Sequence, residues 1–351
     1  MVSKKFWRGK RVFLTGHTGF KGSWMTMFLN FLNAEVYGYS LNPITNPSLF
    51  HEANLENKVY SKIGDIRDYV NLKKSIIDFN PDILIHMAAQ PLVRKSYDIP
   101  VETFSTNLMG TVNVLDSSRY CNSLRSVIII TTDKCYENIE KKQGYVETDA
   151  MGGYDPYSSS KGCAELATSA YSRSFFKDHS TANIASVRAG NVIGGGDWSK
   201  DRLMPDILKS LENEKEIIIR NPNSIRPWQH VIEPLYGYLV LAQRIFDESK
   251  YTGSWNFGPN NSDCKKVEWI VNYMVDKWSH TPGWTKDSKQ NPHESNLLML
   301  DCSKAKKLLD WNPKWTIDLA LDSIIDWQKS WIIGDNMYEK SMLNIKNYFN
   351  E

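Results

Sequence analysis

Arg11-Val12-Phe13-Leu14-Thr15-Gly16-His17-Thr18-Gly19-Phe20-Lys21-Gly22 is the stretch from which the fold is read. After Arg11, the four residues Val12 to Thr15 are β-branched, aromatic or apolar and predict a strand. Three glycines follow at spacings of three, and the segment from Ser23 to Leu32 predicts a helix. A strand, a glycine-rich turn and a helix start in that order suit a dinucleotide pyrophosphate. Glycines let the backbone approach the phosphates, and the first amides of the helix, with its dipole, receive the charge. Gly16, Gly19, Phe20 and Gly22 are therefore candidate cofactor-binding residues. A tight turn that holds no ligand is the competing interpretation.

Outward from this turn, strands and helices alternate. Glu35–Ser40 predicts a second strand, but it ends in Ser40-Leu41-Asn42, where an acidic residue often grips the adenosine ribose. No arginine follows to take a 2′-phosphate, so NAD is favoured over NADP. Asp65 and Ile66 end a short third strand, where Asp65 is placed to approach the adenine. Pro81–His86 predicts a buried strand running into Met87-Ala88-Ala89-Gln90. Small residues there admit a cofactor, although paired alanines also serve plain packing. A helix from about Val101 to Arg119 carries Asn107 as a further cofactor candidate. Ser126–Thr131 is continuously apolar between its serine and its threonine, as the middle of a parallel sheet requires. The alternation predicts a doubly wound α/β sheet with right-handed crossovers.

That last strand ends in Thr131-Thr132-Asp133-Lys134-Cys135-Tyr136, which sets a hydroxyl, a carboxyl and an amine at the ligand-binding edge of such a sheet. About twenty residues on, Gly153-Tyr154-Asp155-Pro156-Tyr157-Ser158-Ser159-Ser160-Lys161-Gly162 predicts a helix capped by Asp155, with Pro156 in its first turn. Tyr157 and Lys161 then share one helix face. An ammonium beside a phenol favours the phenolate, so the expected tyrosine pKa lies below its usual value near ~10, making a base for a sugar hydroxyl. The spacing alone is weak. It recurs at Tyr69/Lys73 and Tyr273/Lys277, which read as ordinary helix surface.

The composition narrows the function classes. The chain has 351 residues, 41% hydrophobic and 23% charged, enough for one large or two smaller domains. A net charge of +2 suggests no nucleic-acid or membrane partner. The basic N-terminus is followed by too short an apolar run for a secretory leader. Five scattered cysteines without a C-x-x-C pair speak against a disulfide framework and against a zinc site, so no metal is expected. They fit a reducing, cytoplasmic setting.

Several segments together resemble the extended short-chain dehydrogenase/reductase family, and within it the nucleotide-sugar 4,6-dehydratases. They are Thr15–Trp24, His86–Val93, Thr132–Tyr136, Met151–Tyr157, Ser186–Trp198 and Ile225–Val231. The similarity runs from about Phe6 past Trp327, and the last two segments match best the subgroup acting on CDP-sugars, with CDP-glucose the expected substrate. The resemblance implies NAD as a recycled cofactor, held by the glycine turn, by Asp65, Ile66, Ala88, Ala89, Gln90 and Asn107, and by Tyr157 and Lys161. It implies Tyr157 as the base at the C4 hydroxyl, Thr132 as its hydrogen-bonding partner and Asp133 as the acid at C6. Sister enzymes carry glutamate after the aspartate as the C5 base. Lys134 stands there instead and has to be neutral to act so. A homodimer or higher homo-oligomer is expected.

The distal half reads as a substrate domain. Residues 1–185 are assigned to the dinucleotide domain and 186–351 to a smaller α/β domain for the nucleotide sugar, with segments around 225–260 crossing back. Arg188, Asn191, Arg202 and Arg226 are the candidate substrate ligands, because guanidinium forks match phosphate geometry. Trp198 or Trp228 can stack the base or serve the core. Rival readings are a 4,6-dehydratase of dTDP-glucose or GDP-mannose, a nucleotide-sugar 4-epimerase, an NADP-dependent reductase and a non-catalytic binding protein.

Overall fold

The computed structural model describes residues 1–177, 182–278, 282–288 and 297–351. Its centre is a seven-stranded parallel sheet. From one edge the strands run Gly253–Phe257, Asn183–Ala189, Ser126–Ile130, Ile83–His86, Arg11–Thr15, Glu35–Ser40 and Tyr60–Ile63. The order reverses between Arg11–Thr15 and Ile83–His86, and this is the doubly wound α/β fold. Ser126–Ile130 is buried along its whole length, which explains its unbroken apolar run.

The sheet takes in Asn183–Ala189 and, much later in the chain, Gly253–Phe257. A division between residues 185 and 186 would therefore cut a paired strand. The helix Ile232–Asp247 also packs on this sheet. A second core forms around Ile193, Met204, Ile207, Trp228, Ile270 and Ile324. It lies among the helices Leu203–Glu212, Val267–Trp278 and Ile317–Ile332 and the short sheet of Asn191–Ile193, Ile225–His230 and Cys264–Lys266.

Local chemistry sets the element boundaries. Asn80 ends the helix Tyr69–Phe79 in the left-handed conformation that asparagine tolerates. The stretch expected as one helix from Val101 to Arg119 is helical but widens into a π-turn at Ser105–Met109, around Asn107. The last helix, Met337–Phe349, returns to the first lobe, where Phe349 packs against Phe28 and Phe31 of the helix Phe20–Phe31. Among the described residues, no helix is long and apolar enough to cross a membrane.

Candidate active site

The glycine turn is built by close approach. Gly16 has φ +78°, and a Cβ there would stand 2.7 Å from the Ala88 amide nitrogen. A Cβ on Gly22 would stand 1.9 Å from the Gly16 carbonyl oxygen. No side chain fits at either position, so strand end, helix start and the Ala88 segment form one bare backbone cradle. Gly19 precedes the helix with no side-chain cap, leaving the first amides free for an anion. Thr15 holds the neighbouring segment in place. Its Oγ1 accepts from the amides of Met87 and Ala88 at 3.1 and 3.2 Å and bonds His86 Nδ1 at 2.7 Å. Where an acidic residue was missing, Ser40 Oγ instead lies 2.9 Å from Thr18 Oγ1.

The cofactor candidates do different jobs. Asn107 is buried and clamps Gln90, accepting from its amide at 2.8 Å and donating to its carbonyl at 3.1 Å. Its Nδ2 also donates to Ser160 Oγ at 2.9 Å, which ties the Ala88-Ala89-Gln90 segment to the helix Pro156–Phe175. Gln90 spends its own amide on Leu92 and Thr103. Asp65 is held by Arg67, whose Nε and Nη2 reach Oδ2 at 2.9 and 2.6 Å. Ile66 turns its side chain into the core against Gly110, and its carbonyl accepts from Asn113 Nδ2 at 3.0 Å.

Asp155 caps the helix Pro156–Phe175 as its position required, accepting from Ser158 N at 3.0 Å, with Pro156 in the first turn. Tyr157 and Lys161 are both buried and line a cleft of about 480 Å³ with Thr132, Asp133, Lys134, Asn191, Arg202 and Arg226. Thr132 Oγ1 donates to Asp133 Oδ1 at 3.0 Å. Asp133 Oδ2 is buried with no hydrogen-bond partner among the described residues. Gly190 leaves room for it, since a Cβ there would stand 3.3 Å away.

The expected drop in the tyrosine pKa is corrected here. Burial pushes Tyr157 up to about 12, against the pull of Thr132 and Arg202. Burial likewise brings Lys161 down to about 8, and its Nζ donates to the Ile130 carbonyl at 3.0 Å. For both groups desolvation outweighs the neighbours that pull the other way.

Arg188 is a second correction. Its guanidinium lies inside the first lobe, bonded to Glu165 Oε2 at 2.7 Å, Tyr136 Oη at 2.6 Å and the Glu147 carbonyl at 3.1 Å. Glu165 also accepts from Ser186 Oγ at 2.6 Å and from Thr131 Oγ1. Burial would raise the Glu165 carboxyl, but Arg188 and these hydroxyls hold it below the usual range. Arg188 is thus spent on a buried ion pair. Glu165, one helical turn from Lys161, carried no motif that could have marked it.

Arg202 and Arg226 do face the cleft, Arg202 bonding Asp197 at 3.1 Å on the way. Trp198 packs half-buried against the core, with the ring centroids of Trp327 and Trp331 5.8 and 5.2 Å away. Trp228 lines the cleft while its indole donates to the Lys265 carbonyl at 3.0 Å. The other two tyrosine–lysine pairs are tied up elsewhere: Tyr69 donates to Asp116 at 2.6 Å and Tyr273 to Asp322 at 2.9 Å. Lys21, which the sequence reading passed over, also reaches the cleft.

A parallel sheet in this order, a bare glycine cradle and a tyrosine–lysine helix beside it define the extended short-chain dehydrogenase/reductase class. Within that class, the profile of the family described as GDP-mannose 4,6 dehydratase matches residues 13–324, and the chain belongs to this family. It is similar to the CDP-glucose 4,6-dehydratase of Salmonella typhimurium, 53% identical over 353 residues, covering 99% of this chain and 98% of that one. Among solved structures it resembles an epimerase from Methanothermobacter thermautotrophicus, with TM-score 0.81, 20% identity and coverage of 94% and 96%. It also resembles dTDP-glucose 4,6-dehydratase from Bacillus anthracis in complex with NAD, with TM-score 0.77, 18% identity and coverage of 94% and 100%.

Proposed function

We propose that the protein is a CDP-glucose 4,6-dehydratase that recycles bound NAD, converting CDP-glucose to the 4-keto-6-deoxy sugar nucleotide and water. The observation that carries the reaction is the set Thr132, Asp133, Lys134, Tyr157 and Lys161 around one cleft, with an unpartnered buried carboxyl oxygen on Asp133. The full-length likeness to a CDP-glucose enzyme supports the nucleotide.

The cradle at Gly16, Gly19 and Gly22 fits the dinucleotide, because added Cβ atoms at Gly16 and Gly22 would fill it. The segment Ala88-Ala89-Gln90, set by Asn107, forms the wall beside it. The hydride chemistry, removal from C4 of the sugar and return at C6, would be supplied by NAD when bound. In this reading Tyr157 takes the proton of the C4 hydroxyl, with Thr132 holding that oxygen. Lys161 is the nearby cation that favours the phenolate. The C4 ketone acidifies the C5 proton, which Lys134 removes, and Asp133 protonates the departing C6 oxygen to release water. Arg202 and Arg226, on the cleft wall, take the diphosphate of the substrate.

The pair Asp133-Lys134 after Thr132 speaks against a 4-epimerase, which needs no acid and base for elimination. The test is incubation with CDP-, dTDP- and UDP-glucose and GDP-mannose, followed by detection of a 4-keto-6-deoxy product. CDP-glucose is expected to turn over far faster than the others. Preferred dehydration of dTDP-glucose would overturn the nucleotide assignment and leave the reaction standing. Net consumption of NADPH without dehydration would overturn the reaction. A homo-oligomeric, cytoplasmic enzyme is part of the same proposal.

A further inference from the structure

Residues 194–202 join the strand Asn191–Ile193 to the helix Leu203–Glu212, and Asp197, Lys200, Asp201 and Arg202 among them line the cleft. The root of this segment is fixed by close approach. A Cβ on Gly194 would stand 3.1 Å from the Phe20 ring, and one on Gly195 2.3 Å from the Trp327 ring. One on Gly196, at φ +83°, would stand 2.8 Å from Leu49. Trp24 Nε1 donates to the Gly195 carbonyl at 3.0 Å. Phe20, Trp24 and Leu49 belong to the first lobe and Trp327 to the second, so bare backbone is gripped between the two. Asp197 then turns the chain, accepting from Ser199 N at 3.0 Å and pairing with Arg202 at 3.1 Å.

The tip is held differently. Lys200 and Asp201 are exposed, and Asp201 is left-handed at φ +60°, which aspartate tolerates better than most residues. The Asp201 carbonyl accepts from Arg220 Nη2 at 3.1 Å, within the second lobe. The Asp201 carboxylate pairs with Arg94 Nη1 at 3.3 Å, and Arg94 belongs to the helix Val93–Asp98 of the first lobe. Both side chains line the cleft, and they are 37% and 50% exposed, so the pair spans its rim from lobe to lobe. An exposed ion pair shifts an equilibrium by a factor of only a few. A gripped root and a lightly latched tip make a strap that opens at its tip.

We propose that the Arg94–Asp201 pair latches this strap across the mouth of the cleft, and that its opening admits and releases the sugar nucleotide. The proposal rests on the substrate reading given above. A latch that acts alike on the empty and the filled cleft slows entry and exit by the same factor and leaves the affinity unchanged. An arginine that instead binds the phosphates directly acts chiefly on exit. The two roles of Arg94 are therefore told apart by rates.

The test is stopped-flow binding of CDP to the NAD-loaded protein, followed by tryptophan fluorescence, to which Trp228 on the cleft wall contributes. Entry and exit rates come from the slope and intercept of the observed rate against CDP concentration. Arg94→Gln and Asp201→Asn are each expected to raise both rates together, roughly two- to fivefold, with Kd changed less than about twofold. The double variant is expected to be no faster than either single one, because the second change finds the pair already broken. Each variant alters an exposed side chain, and thermal melts report that it folds. Rates unmoved in both single variants, or effects that multiply in the double one, overturn the proposal. So does an Arg94→Gln protein that speeds exit alone while Asp201→Asn slows it, since the guanidinium then holds the phosphates itself. Wild-type protein that binds no CDP would instead overturn the substrate reading.

Discussion

Tyr157 and Asp133 are both buried and line the same cleft. Burial pushes the tyrosine up to about 12 in the free protein, with Thr132 and Arg202 pulling it down and Asp133 and Asp155 adding to the rise. Tyr157→Phe keeps the ring and its packing. Turnover is expected to fall at least ~10²-fold with the melting temperature little changed, as steady-state rates and thermal melts will read. Near-normal turnover would move the base elsewhere. Asp133→Asn keeps the shape and loses the proton needed at C6. Under single-turnover conditions the absorbance of reduced cofactor should rise on mixing with CDP-glucose and persist, with no water lost. If neither that absorbance nor a slower overall rate appears, the aspartate is not the acid.

At the level of elements, the helix Pro156–Phe175 is joined to its neighbours by two buried polar assemblies. Asn107 links it through Ser160 to the Gln90 segment, and Glu165 links it to Arg188 on the strand Asn183–Ala189. Asn107 and Arg188 were picked from sequence as ligand contacts, and in the structure both bond neighbouring elements of the protein. Polar residues at a strand end look alike in sequence whether they meet a ligand or a buried partner. Arg188→Met separates the two roles. Removing the cation strands the Glu165 carboxylate in the core, and a loss of about 3–5 kcal/mol is expected from chemical denaturation. A variant of normal stability with only a raised KM for CDP-glucose would return Arg188 to the substrate.

The whole molecule is closed by its C-terminal helix. Glu233, fully buried at the start of the helix Ile232–Asp247, accepts from the amides of Lys314 and Trp315 at 2.8 and 2.6 Å and from Tyr348 Oη at 2.7 Å. It therefore ties the helix Ile232–Asp247 to the segment at Lys314 and to the chain end. Burial raises its carboxyl to about 7, against those hydrogen bonds and Lys314. A folded value above the unfolded one near 4.5 means that the protonated form is favoured in the fold. Its stabilisation is complete below about 4.5 and is lost as pH rises to about 7. The melting temperature of wild type relative to Glu233→Gln should accordingly fall between pH 5 and pH 8, by an amount equivalent to about 1–3 kcal/mol. A difference independent of pH would show that the carboxyl titrates normally.

Much of this architecture was legible in residues 11–161, because strand runs, glycine turns and helix caps are local in sequence. The strand Glu35–Ser40 appears with the bounds expected of it, and Asp155 caps the helix it was read to cap. The cradle at Gly16 and Gly22 follows from a requirement for bare backbone that leaves its mark in composition. Only the tertiary structure decided what depends on burial and on distant partners. The protonation of Tyr157 and Lys161, the retreat of Arg188 to Glu165, the packing of Trp198 on Trp327 and the entry of Lys21 into the cleft are of that kind. Desolvation and pairing are properties of the space around a group, and residues separated by tens of positions in the chain supply that space.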